Sequence, residues 1–256
     1  MTILQDFSGR TALVTGAASG IGAACAKSLA ARGAAKLILV DVDAAGMVAL
    51  NLPCEVETIT GSVADVALWT ELEERLESAG ETIDHAVVNA GIGAGGTIGQ
   101  LSMADWRRVM DVNLDGAFLT LSTALRAMPK SGGSICVVAS TTGLKPVAGV
   151  GPYGISKAAV AHMARIAAAE NAGKNIRVNA IAPGGVDTAI WEGSPEFVAA
   201  VEKHGREATI KGMATTTPNG RFATSDEMAD SILYLMSDAA SNITGTVLVS
   251  DGGFTL

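Results

Sequence analysis

The sequence predicts an α/β fold in which a doubly wound, mostly seven-stranded parallel sheet lies between layers of helices. Short apolar, β-branched runs alternate with helical patterns almost throughout the 256 residues. No internal repeat, low-complexity tract or linker divides the chain. This alternation is typical of parallel sheets with helices on both faces. We therefore expect one domain spanning residues 1–256.

Seven short apolar runs are the predicted strands. They cover residues 11–14, 37–40, 56–60, 86–89, 135–139, 176–181 and 246–249. Helical spacing fills most of the intervals between them. The predicted helices are one ending near residue 32, one with a charged face at 68–76, a long one from about 104 to 128, one that begins near residue 153, and one at 226–236.

Composition and charge exclude some classes of function. The formal net charge is −8 and the sequence pI is near 4.9, so the surface repels phosphate backbones and general nucleic-acid binding is not expected. No uninterrupted apolar run approaches the roughly 20 residues that span a bilayer. Residues 1–9 include Asp6 and no basic segment leading into an apolar one, so no signal peptide is expected.

The cysteines and histidines are too scattered for a disulfide framework or a metal site. The chain has three of each, and they are Cys25, Cys54, Cys136, His85, His162 and His204. The cysteines are expected to pack as small apolar side chains. We therefore expect no metal ion, and we expect a cytoplasmic protein.

A glycine-rich turn follows the first predicted strand. The segment reads Thr15-Gly16-Ala17-Ala18-Ser19-Gly20-Ile21-Gly22. Gly16 allows the turn, Gly20 permits close approach of a pyrophosphate, and Gly22 lets the helix pack closely on the sheet. The helix N-terminus adds free N–H groups and the positive end of a dipole. Such turns also occur without a ligand, but a position between strand and helix favours a dinucleotide site.

The second predicted strand is followed by Asp41, about 20 residues after the glycines. A carboxylate at this position accepts hydrogen bonds from both ribose hydroxyls of an adenosine and repels a 2′-phosphate. Asp43 adds negative charge, and the neighbouring Val42 supplies no cation. NAD is therefore predicted in preference to NADP, with a merely solvated acid at the strand end as the alternative.

Tyr153 and Lys157 open an Ala-rich helical pattern, and Ser140 lies thirteen residues before the tyrosine. Residues four apart on a helix share one face, so the phenol and the ammonium are expected to point the same way. A fixed cation favours the phenolate, which makes the pair a tunable proton donor and acceptor. Taken alone, the pattern also fits an ordinary Tyr and Lys at the start of a helix.

Three other positions carry candidate functional residues. Asn89-Ala90-Gly91 closes the fourth strand, where small residues let a ligand approach the sheet edge. Ser140 follows the fifth strand and either points at a ligand or caps a turn. Asn113 falls inside the long predicted helix, where its propensity is poor. It indicates either local backbone hydrogen bonding or a helix distortion that holds a water, and both interpretations stay open.

The combined pattern resembles the classical short-chain dehydrogenase/reductase family. The resemblance extends over essentially the whole chain, in order and spacing, and the matching segments are Thr15 to Gly22, Asn89 to Gly91, Asn113, Ser140, Tyr153 with Lys157, and Pro183-Gly184. It implies a Rossmann-like fold and reversible hydride transfer between NAD and a secondary alcohol or ketone. It also implies a homotetramer.

The resemblance assigns roles to residues. In the catalytic set, Tyr153 would be the acid/base and Ser140 would orient the substrate oxygen. Lys157 would lower the tyrosine pKa and hold the nicotinamide ribose, and Asn113 would keep a proton-relay water. The implied cofactor-binding residues are Gly16, Ser19, Gly20, Ile21, Gly22, Asp41, Val42, Ser62, Val63, Asn89, Ala90, Gly91, Tyr153, Lys157, Pro183, Gly184, Val186 and Thr188.

Two positions depart from the family pattern. Val88 replaces the first Asn of the usual Asn-Asn-Ala-Gly, which changes a structural hydrogen bond. Ser62 precedes Val63 where the family often has Asp, which changes the usual contact to the adenine amino group.

Substrate choice is assigned to residues 185–218, which we expect to be the least regular stretch and a mobile lid. The stretch has scattered charges, lacks an Arg cluster for a carboxylate or phosphate, and offers the apolar side chains of Ile190, Trp191, Phe197, Val198 and Met213. An uncharged, fairly apolar small molecule is the expected substrate. The predicted substrate-binding residues are Ser140, Leu144, Val147, Tyr153, Gly185, Ile190 and Trp191.

The helix that follows Lys157 is small and apolar on nearly every side. A helix that is apolar all round is usually buried all round, so one side is expected to contact another subunit. We therefore expect a homo-oligomer.

Two other functions share these motifs. A 3-oxoacyl-(acyl-carrier-protein) reductase is the enzyme alternative, although such reductases commonly use NADPH and meet an acidic carrier through a basic surface. A dinucleotide-binding sensor or scaffold without turnover is the alternative from a different class.

Overall fold

Seven parallel strands form one central sheet in the computed structural model, which describes residues 6–256 apart from the side chain of residue 195. Residues 1–5, part of the segment expected to contain no signal peptide, lie outside the described residues. The strands are β1 (Thr11–Thr15), β2 (Lys36–Asp41), β3 (Glu55–Thr60), β4 (His85–Val88), β5 (Gly133–Val138), β6 (Ile176–Pro183) and β7 (Val247–Ser250). Every neighbouring pair is parallel, so the predicted sheet is confirmed.

Helices cover both faces of the sheet. They are α1 (Gly20–Ala31), α2 (Ala44–Ala49), α3 (Val66–Ala79), α4 (Met103–Met110), α5 (Gly116–Ala127), α6 (Gly151–Asn171), α7 (Pro195–His204), α8 (Arg206–Met213) and α9 (Ser225–Met236). Buried side chains of α3, α5 and α6 form one apolar core with the sheet, and those of α1 and α9 form a second core on the opposite face. The doubly wound arrangement is therefore confirmed.

The strand order β3-β2-β1-β4-β5-β6-β7 places the functional crevice. The chain runs outward from β1 to β3, then returns to place β4 beside β1 and runs outward the other way. Loops after β1 and β4 consequently leave the sheet in opposite directions, and the crevice between them is where open α/β sheets bind ligands. The glycine-rich turn and Asn89 lie at this point of the sheet.

The long helix predicted from about 104 to 128 is interrupted. A π-helical segment, Asp111–Asp115, separates α4 from α5 and contains Asn113. Predicted strand ends differ by one or two residues; the fourth strand ends at Val88, so Asn89 lies in the following loop. That position frees the Asn89 side chain to bond outside the sheet.

The expectation that residues 185–218 form the least regular stretch is wrong. The stretch contains the short 3₁₀ segment Ala189–Gly193 and both α7 and α8. Ser194 caps α7 by accepting a hydrogen bond from the Phe197 N–H, and the Phe197 side chain is buried. Gly205, with φ of 80°, forms the turn between the two helices.

One side of α6 is exposed and apolar in part. Ile155 and Ile166 on this helix are 40% and 48% exposed, while Val160 and Ala164 are buried against the sheet. Within residues 6–256, no helix combines the length and apolar character that crossing a membrane requires.

Candidate active site

The glycine-rich turn between β1 and α1 is built for close backbone contacts. Gly16 and Gly20 have φ of 64° and 53°, a region that side-chain-bearing residues rarely adopt. A Cβ on Gly22 would lie 2.0 Å from the carbonyl oxygen of Gly16. Only glycine therefore lets α1 start this close to the end of β1, as the spacing predicted.

Thr15 and Asn89 join this turn to the loop after β4. The Thr15 hydroxyl accepts hydrogen bonds from the backbone N–H groups of Asn89 and Ala90, at 3.0 and 3.2 Å. The Asn89 amide donates to the carbonyls of Thr15 and Gly16, at 3.0 and 3.3 Å. The two loops beside the crevice are thus held in one fixed arrangement.

Asp41 is fixed beside the turn by two backbone hydrogen bonds. Its Oδ2 accepts from the Ala18 N–H at 2.9 Å and its Oδ1 accepts from the Asp43 N–H at 3.0 Å. Asp43 in turn caps α2 through the Gly46 N–H. Val42 lies between them with an exposed side chain. The structure therefore presents a partly exposed carboxylate next to the N-terminus of α1.

These residues fit a dinucleotide. Ser19 is the exposed N-cap residue of α1, and the first two helix residues, Gly20 and Ile21, are half-buried. A cavity of about 490 Å³ borders the turn at Ala18, Ser19 and Gly20 and reaches Thr188. It extends along α1 to the start of α9, and Asp41 does not line it. Backbone N–H groups at a helix start suit a pyrophosphate, and the Asp41 carboxylate suits a ribose diol.

Tyr153 and Lys157 face each other near the start of α6. The Lys157 Nζ lies 5.8 Å from the centre of the Tyr153 ring and donates a hydrogen bond to the Val138 carbonyl at 2.8 Å. Burial lowers the pKa of Lys157 to about 8. Burial raises the pKa of Tyr153, and a hydrogen bond with Ser140 opposes that rise only in part. Desolvation of the phenol outweighs the opposing hydrogen bond. The lowering of the tyrosine pKa by Lys157, which the resemblance implies, stays a prediction.

Ser140 both caps a turn and contacts the tyrosine. It is the N-cap of the 3₁₀ segment Thr141–Gly143, and its Oγ accepts hydrogen bonds from the N–H and the hydroxyl of Thr142, at 3.2 and 3.0 Å. A Cβ on Gly143 would lie 2.6 Å from the backbone nitrogen of Ala158 in α6. This tight packing of the turn on α6 brings Ser140 to Tyr153.

Asn113 connects the π-segment to the loop after β4 and to α6. Its Oδ1 accepts from the Ile92 N–H at 2.8 Å, and its Nδ2 donates to the Ile92 carbonyl at 3.0 Å and to the Ser156 hydroxyl at 3.2 Å. The helix distortion is therefore present, and the water that it would hold stays a prediction. The hydrogen bonds run to the Ile92 backbone and the Ser156 hydroxyl rather than to the local turn of the helix.

Sequence reasoning did not assign a role to Ser156. Its hydroxyl donates to the Tyr153 carbonyl at 2.8 Å while it accepts from Asn113, so it links the π-segment to the backbone of Tyr153. Ser156 is fully buried. A polar residue between Tyr153 and Lys157 on a helix with a buried face was the available signal.

Several predicted cofactor residues border the end of β6. Pro183 is buried at the strand end, and Gly184 donates its N–H to the Ser250 carbonyl at 3.0 Å. Val186 is buried and pairs with Ala223 in an isolated bridge.

Two other predicted cofactor residues, Ser62 and Val63, follow β3. Val63 is buried, and its carbonyl accepts a hydrogen bond from the Trp69 indole at 2.8 Å. The side chain of Ser62 is exposed beside it.

The predicted substrate residues fall into two groups. Leu144 and Val147 are exposed after the Ser140 turn, and Ile190 contacts Gly93 of the loop after β4. Trp191 instead stacks on Phe222, with ring centres 5.5 Å apart, and donates its indole N–H to the Val186 carbonyl. Gly185 packs against the same phenylalanine, because a Cβ at this position would lie 2.2 Å from the Phe222 Cε1. A substrate contact for Trp191 and Gly185 stays a prediction.

Comparison with known proteins gives one consistent result. The family profile described as enoyl-(acyl carrier protein) reductase matches residues 16–255. The chain is 39% identical to cis-4-hydroxycyclohexanecarboxylate dehydrogenase of Sinomonas cyclohexanicum, over 98% of both chains. It is 36% identical to the 3-oxoacyl-(acyl-carrier-protein) reductase of Thermotoga maritima, over 97% of this chain and 98% of the other.

A solved structure of levodione reductase superposes with a TM-score of 0.85 at 32% identity, covering 96% of this chain and 98% of that one. Fold, motif order and relatives agree over almost the full length. The chain therefore belongs to the classical short-chain dehydrogenase/reductase family of oxidoreductases.

Proposed function

We propose that this protein is an NAD-dependent oxidoreductase that interconverts a secondary alcohol and a ketone. The observation that carries the proposal is the cluster of Ser140, Tyr153 and Lys157 at the carboxyl end of β5, beside the dinucleotide crevice. A phenol that is bonded to a serine hydroxyl and faces a buried ammonium suits proton exchange with a substrate oxygen.

In this proposal Tyr153 exchanges the proton of the substrate hydroxyl and Ser140 orients the same oxygen. The bound nicotinamide would supply or accept the hydride. Lys157 keeps a positive charge close to the phenol, which favours the phenolate when an alcohol is oxidised. Asn113 and Ser156 hold α6 at the distance from the loop after β4 that the reaction requires.

The proposed dinucleotide lies along the glycine-rich turn. Gly16, Gly20 and Gly22 allow close approach of the phosphates, and Asp41 accepts the ribose hydroxyls. The preference for NAD over NADP rests on the Asp41 charge, which is held in place by the Ala18 and Asp43 N–H groups. The residues that contact the nicotinamide end in this proposal include Pro183, Gly184, Val186 and Thr188.

The proposed lid, residues 185–218, selects the substrate. Apolar side chains such as Leu144, Val147 and Ile190 favour a small, fairly apolar alcohol or ketone without charge. The relative from Sinomonas cyclohexanicum is named for a hydroxylated cyclohexane ring, which agrees with an apolar ring substrate but adds a carboxylate. We place the enzyme in the cytoplasm, in keeping with three unpaired cysteines among the described residues.

A panel of secondary alcohols tests the proposal. Cyclic, steroidal and hydroxyacyl compounds, with and without a carboxylate, are incubated with NAD while NADH absorbance is followed. At least one class is expected to react, and oxidation is expected to speed up with rising pH because the buried phenol must lose its proton.

Tyr153→Phe is the matched variant. It is expected to lower kcat by at least about a hundredfold while NADH binding stays within about threefold of wild type. Near-full activity in the variant, with intact cofactor binding, would show that the acid/base assignment is wrong.

The enzyme alternative is a 3-oxoacyl-(acyl-carrier-protein) reductase. Its support is the 36% identity to the Thermotoga maritima reductase and the description of the matching family profile. The formal net charge of −8 disfavours docking of an acidic carrier. A hydroxyacyl thioester in the panel, tested with NADPH and NADH, separates the two.

The alternative from another class is a dinucleotide-binding sensor or scaffold without turnover. A protein that only binds has no need of the Ser140, Tyr153 and Lys157 cluster. Dinucleotide binding measured beside turnover distinguishes the two: binding without turnover of any panel member would favour the sensor.

A further inference from the structure

Arg206 occupies a position that helix electrostatics disfavours. It is the first residue of α8, where the positive end of the helix dipole repels a cation. The turn at Gly205 brings Arg206 next to the beginning of the lid. Asp187 and Glu192 of the lid both form ion pairs with the Arg206 guanidinium. These contacts, rather than helix stability, account for an arginine at this position.

The Arg206 guanidinium holds the beginning of the lid through four hydrogen bonds. Nε and Nη2 donate to Asp187 Oδ1 at 3.1 and 2.6 Å, and Nη1 donates to Glu192 Oε1 at 3.2 Å. Nη2 also donates to the Thr188 carbonyl at 3.1 Å. The guanidinium carbon lies 5.4 Å from the centre of the Phe197 ring of α7. One side chain therefore ties α7 and α8 to residues 187–192.

Residues 187–193, here called the crevice segment, contact both loops beside the dinucleotide crevice. The Thr188 Cγ2 lies 3.1 Å from the point that a Cβ would occupy on Gly20 in the glycine-rich turn. The Ile190 carbonyl oxygen lies 2.9 Å from the Cβ position of Gly93 in the loop after β4. The crevice segment thus runs across the mouth of the crevice. Arg206, Asp187 and Thr188 also line the 490 Å³ cavity that starts at this turn.

We propose that Arg206 is a positioning residue that holds the crevice segment across the dinucleotide and thereby slows dinucleotide release. The proposal rests on the proposed function, because it needs a dinucleotide in the crevice. The planar guanidinium bonds a carboxylate, a second carboxylate and a carbonyl at once, which a lysine ammonium does not reproduce with the same geometry. Arg206 acts on the crevice through its hydrogen bond to the Thr188 carbonyl, because Thr188 contacts Gly20 in the glycine-rich turn.

Stopped-flow fluorescence of NADH measures the effect on release. Arg206→Met keeps an unbranched side chain about as long as the aliphatic part of arginine and removes all donors, so the NADH dissociation rate is expected to rise about tenfold. The kcat at saturating substrate is expected to stay within about threefold or to rise, because Arg206 does not touch the reacting atoms. Arg206→Lys is expected to give an intermediate rate.

A double-mutant cycle separates this role from a general loss of lid structure. Asp187→Asn alone is expected to speed NADH release, and combining it with Arg206→Met is expected to add little further. Arg10→Met is the control, because Arg10 forms an exposed ion pair with Asp84 before β1 and away from the crevice. Additive effects in the cycle, or an unchanged release rate in Arg206→Met, would overturn the proposal.

Hydrogen exchange of the protein without dinucleotide gives an independent readout. Residues 187–193 are expected to exchange faster in Arg206→Met, while α9 is unchanged. If the wild type binds NADH and both release and exchange are unaltered in the variant, only the role of Arg206 is wrong. If the wild type binds neither NADH nor NADPH, the proposed function itself is wrong, and the positioning role is overturned with it.

Discussion

At the scale of single residues, burial sets the chemistry of three ionisable side chains. Burial lowers the pKa of Lys157 to about 8 and raises the pKa of Tyr153, and these two side chains face each other. Burial also lowers the pKa of His85 to about 4, at the opposite end of the sheet, where its Nδ1 bonds Ser134 at 2.8 Å. The same desolvation therefore favours the neutral forms of Tyr153 and Lys157 at one end of the sheet and the neutral form of His85 at the other.

His85 is expected to make the fold less stable in acid. Its pKa is about 4 in the folded protein and 6.5 when unperturbed, so between these values the unfolded chain binds the proton more strongly. The contribution of His85 to the free energy of unfolding should fall by about 3 kcal/mol as pH drops from 6.5 to 4. Below pH 4 this contribution should stay constant. Urea unfolding at a series of pH values measures this.

The matched variant for this test is His85→Gln, with His162→Gln on the exposed side of α6 as the control. His85→Gln is expected to flatten the pH dependence of the free energy of unfolding between pH 6.5 and 4, even if the variant is less stable than the wild type at pH 7. An unchanged slope in that variant would assign the acid sensitivity to other groups.

Asp41→Asn tests the choice of cofactor. The amide oxygen still accepts the Ala18 N–H, while the bond from the Asp43 N–H is lost together with the charge. The ratio of kcat/KM for NAD to that for NADP is expected to exceed about tenfold in the wild type and to fall by at least about tenfold in the variant. A wild type that prefers NADP would contradict this prediction.

At the scale of elements, the π-segment between α4 and α5 is the feature that sequence patterns left open. Poor helix propensity marked Asn113 but did not separate a local hydrogen bond from a distortion. The structure contains the distortion as a π-helical segment, and the Asn113 amide bonds Ile92 in a loop and Ser156 on another helix. The water that the distortion would hold stays a prediction. Such partners depend on how α4, α5 and α6 pack, which the local sequence does not encode.

Asn113→Ala is expected to impair turnover more than binding. It removes the bonds to Ile92 and Ser156, so α6 and its tyrosine lose a support while the glycine-rich turn is untouched. The kcat is expected to fall at least about tenfold, with KM for NADH within about twofold. Steady-state kinetics and a thermal unfolding curve are measured together.

Asn171→Ala is the control for that variant. Asn171 is also a buried helix asparagine, but it bonds Ala167 and Lys174 at the far end of α6, about 27 Å along the helix from Tyr153. It is expected to lower the unfolding temperature without changing kcat. Equal losses of kcat in both variants would reduce Asn113 to a purely structural role.

At the scale of the whole molecule, the exposed apolar residues bear on assembly. Phe118 on α5 is 56% exposed, and Ile155 and Ile166 on α6 are 40% and 48% exposed. Neighbouring helices with such side chains are suited to contact another copy of the chain. The homotetramer implied by the family resemblance therefore remains our proposal, with these helices as its interface.

Sedimentation velocity at micromolar concentration tests the assembly. The wild type is expected to sediment as a homotetramer, and Ile166→Glu is expected to shift it to smaller species because a charge is expensive to bury. Val66→Glu, at an exposed position that starts α3, is the control and is expected to leave the assembly unchanged. A monomeric wild type would exclude this interface.

The fold class and the seven strands follow from the sequence alone, because periodicity and glycines that only a tight turn requires are local features. The catalytic roles of Ser140, Tyr153 and Lys157 follow from the family resemblance and stay a prediction. Only the tertiary structure shows the burial of Tyr153, the hydrogen bonds of Ser156, the helices within residues 185–218 and the contacts of Arg206. Each of these depends on burial or on contacts between elements far apart in the chain, so only the packed molecule specifies them.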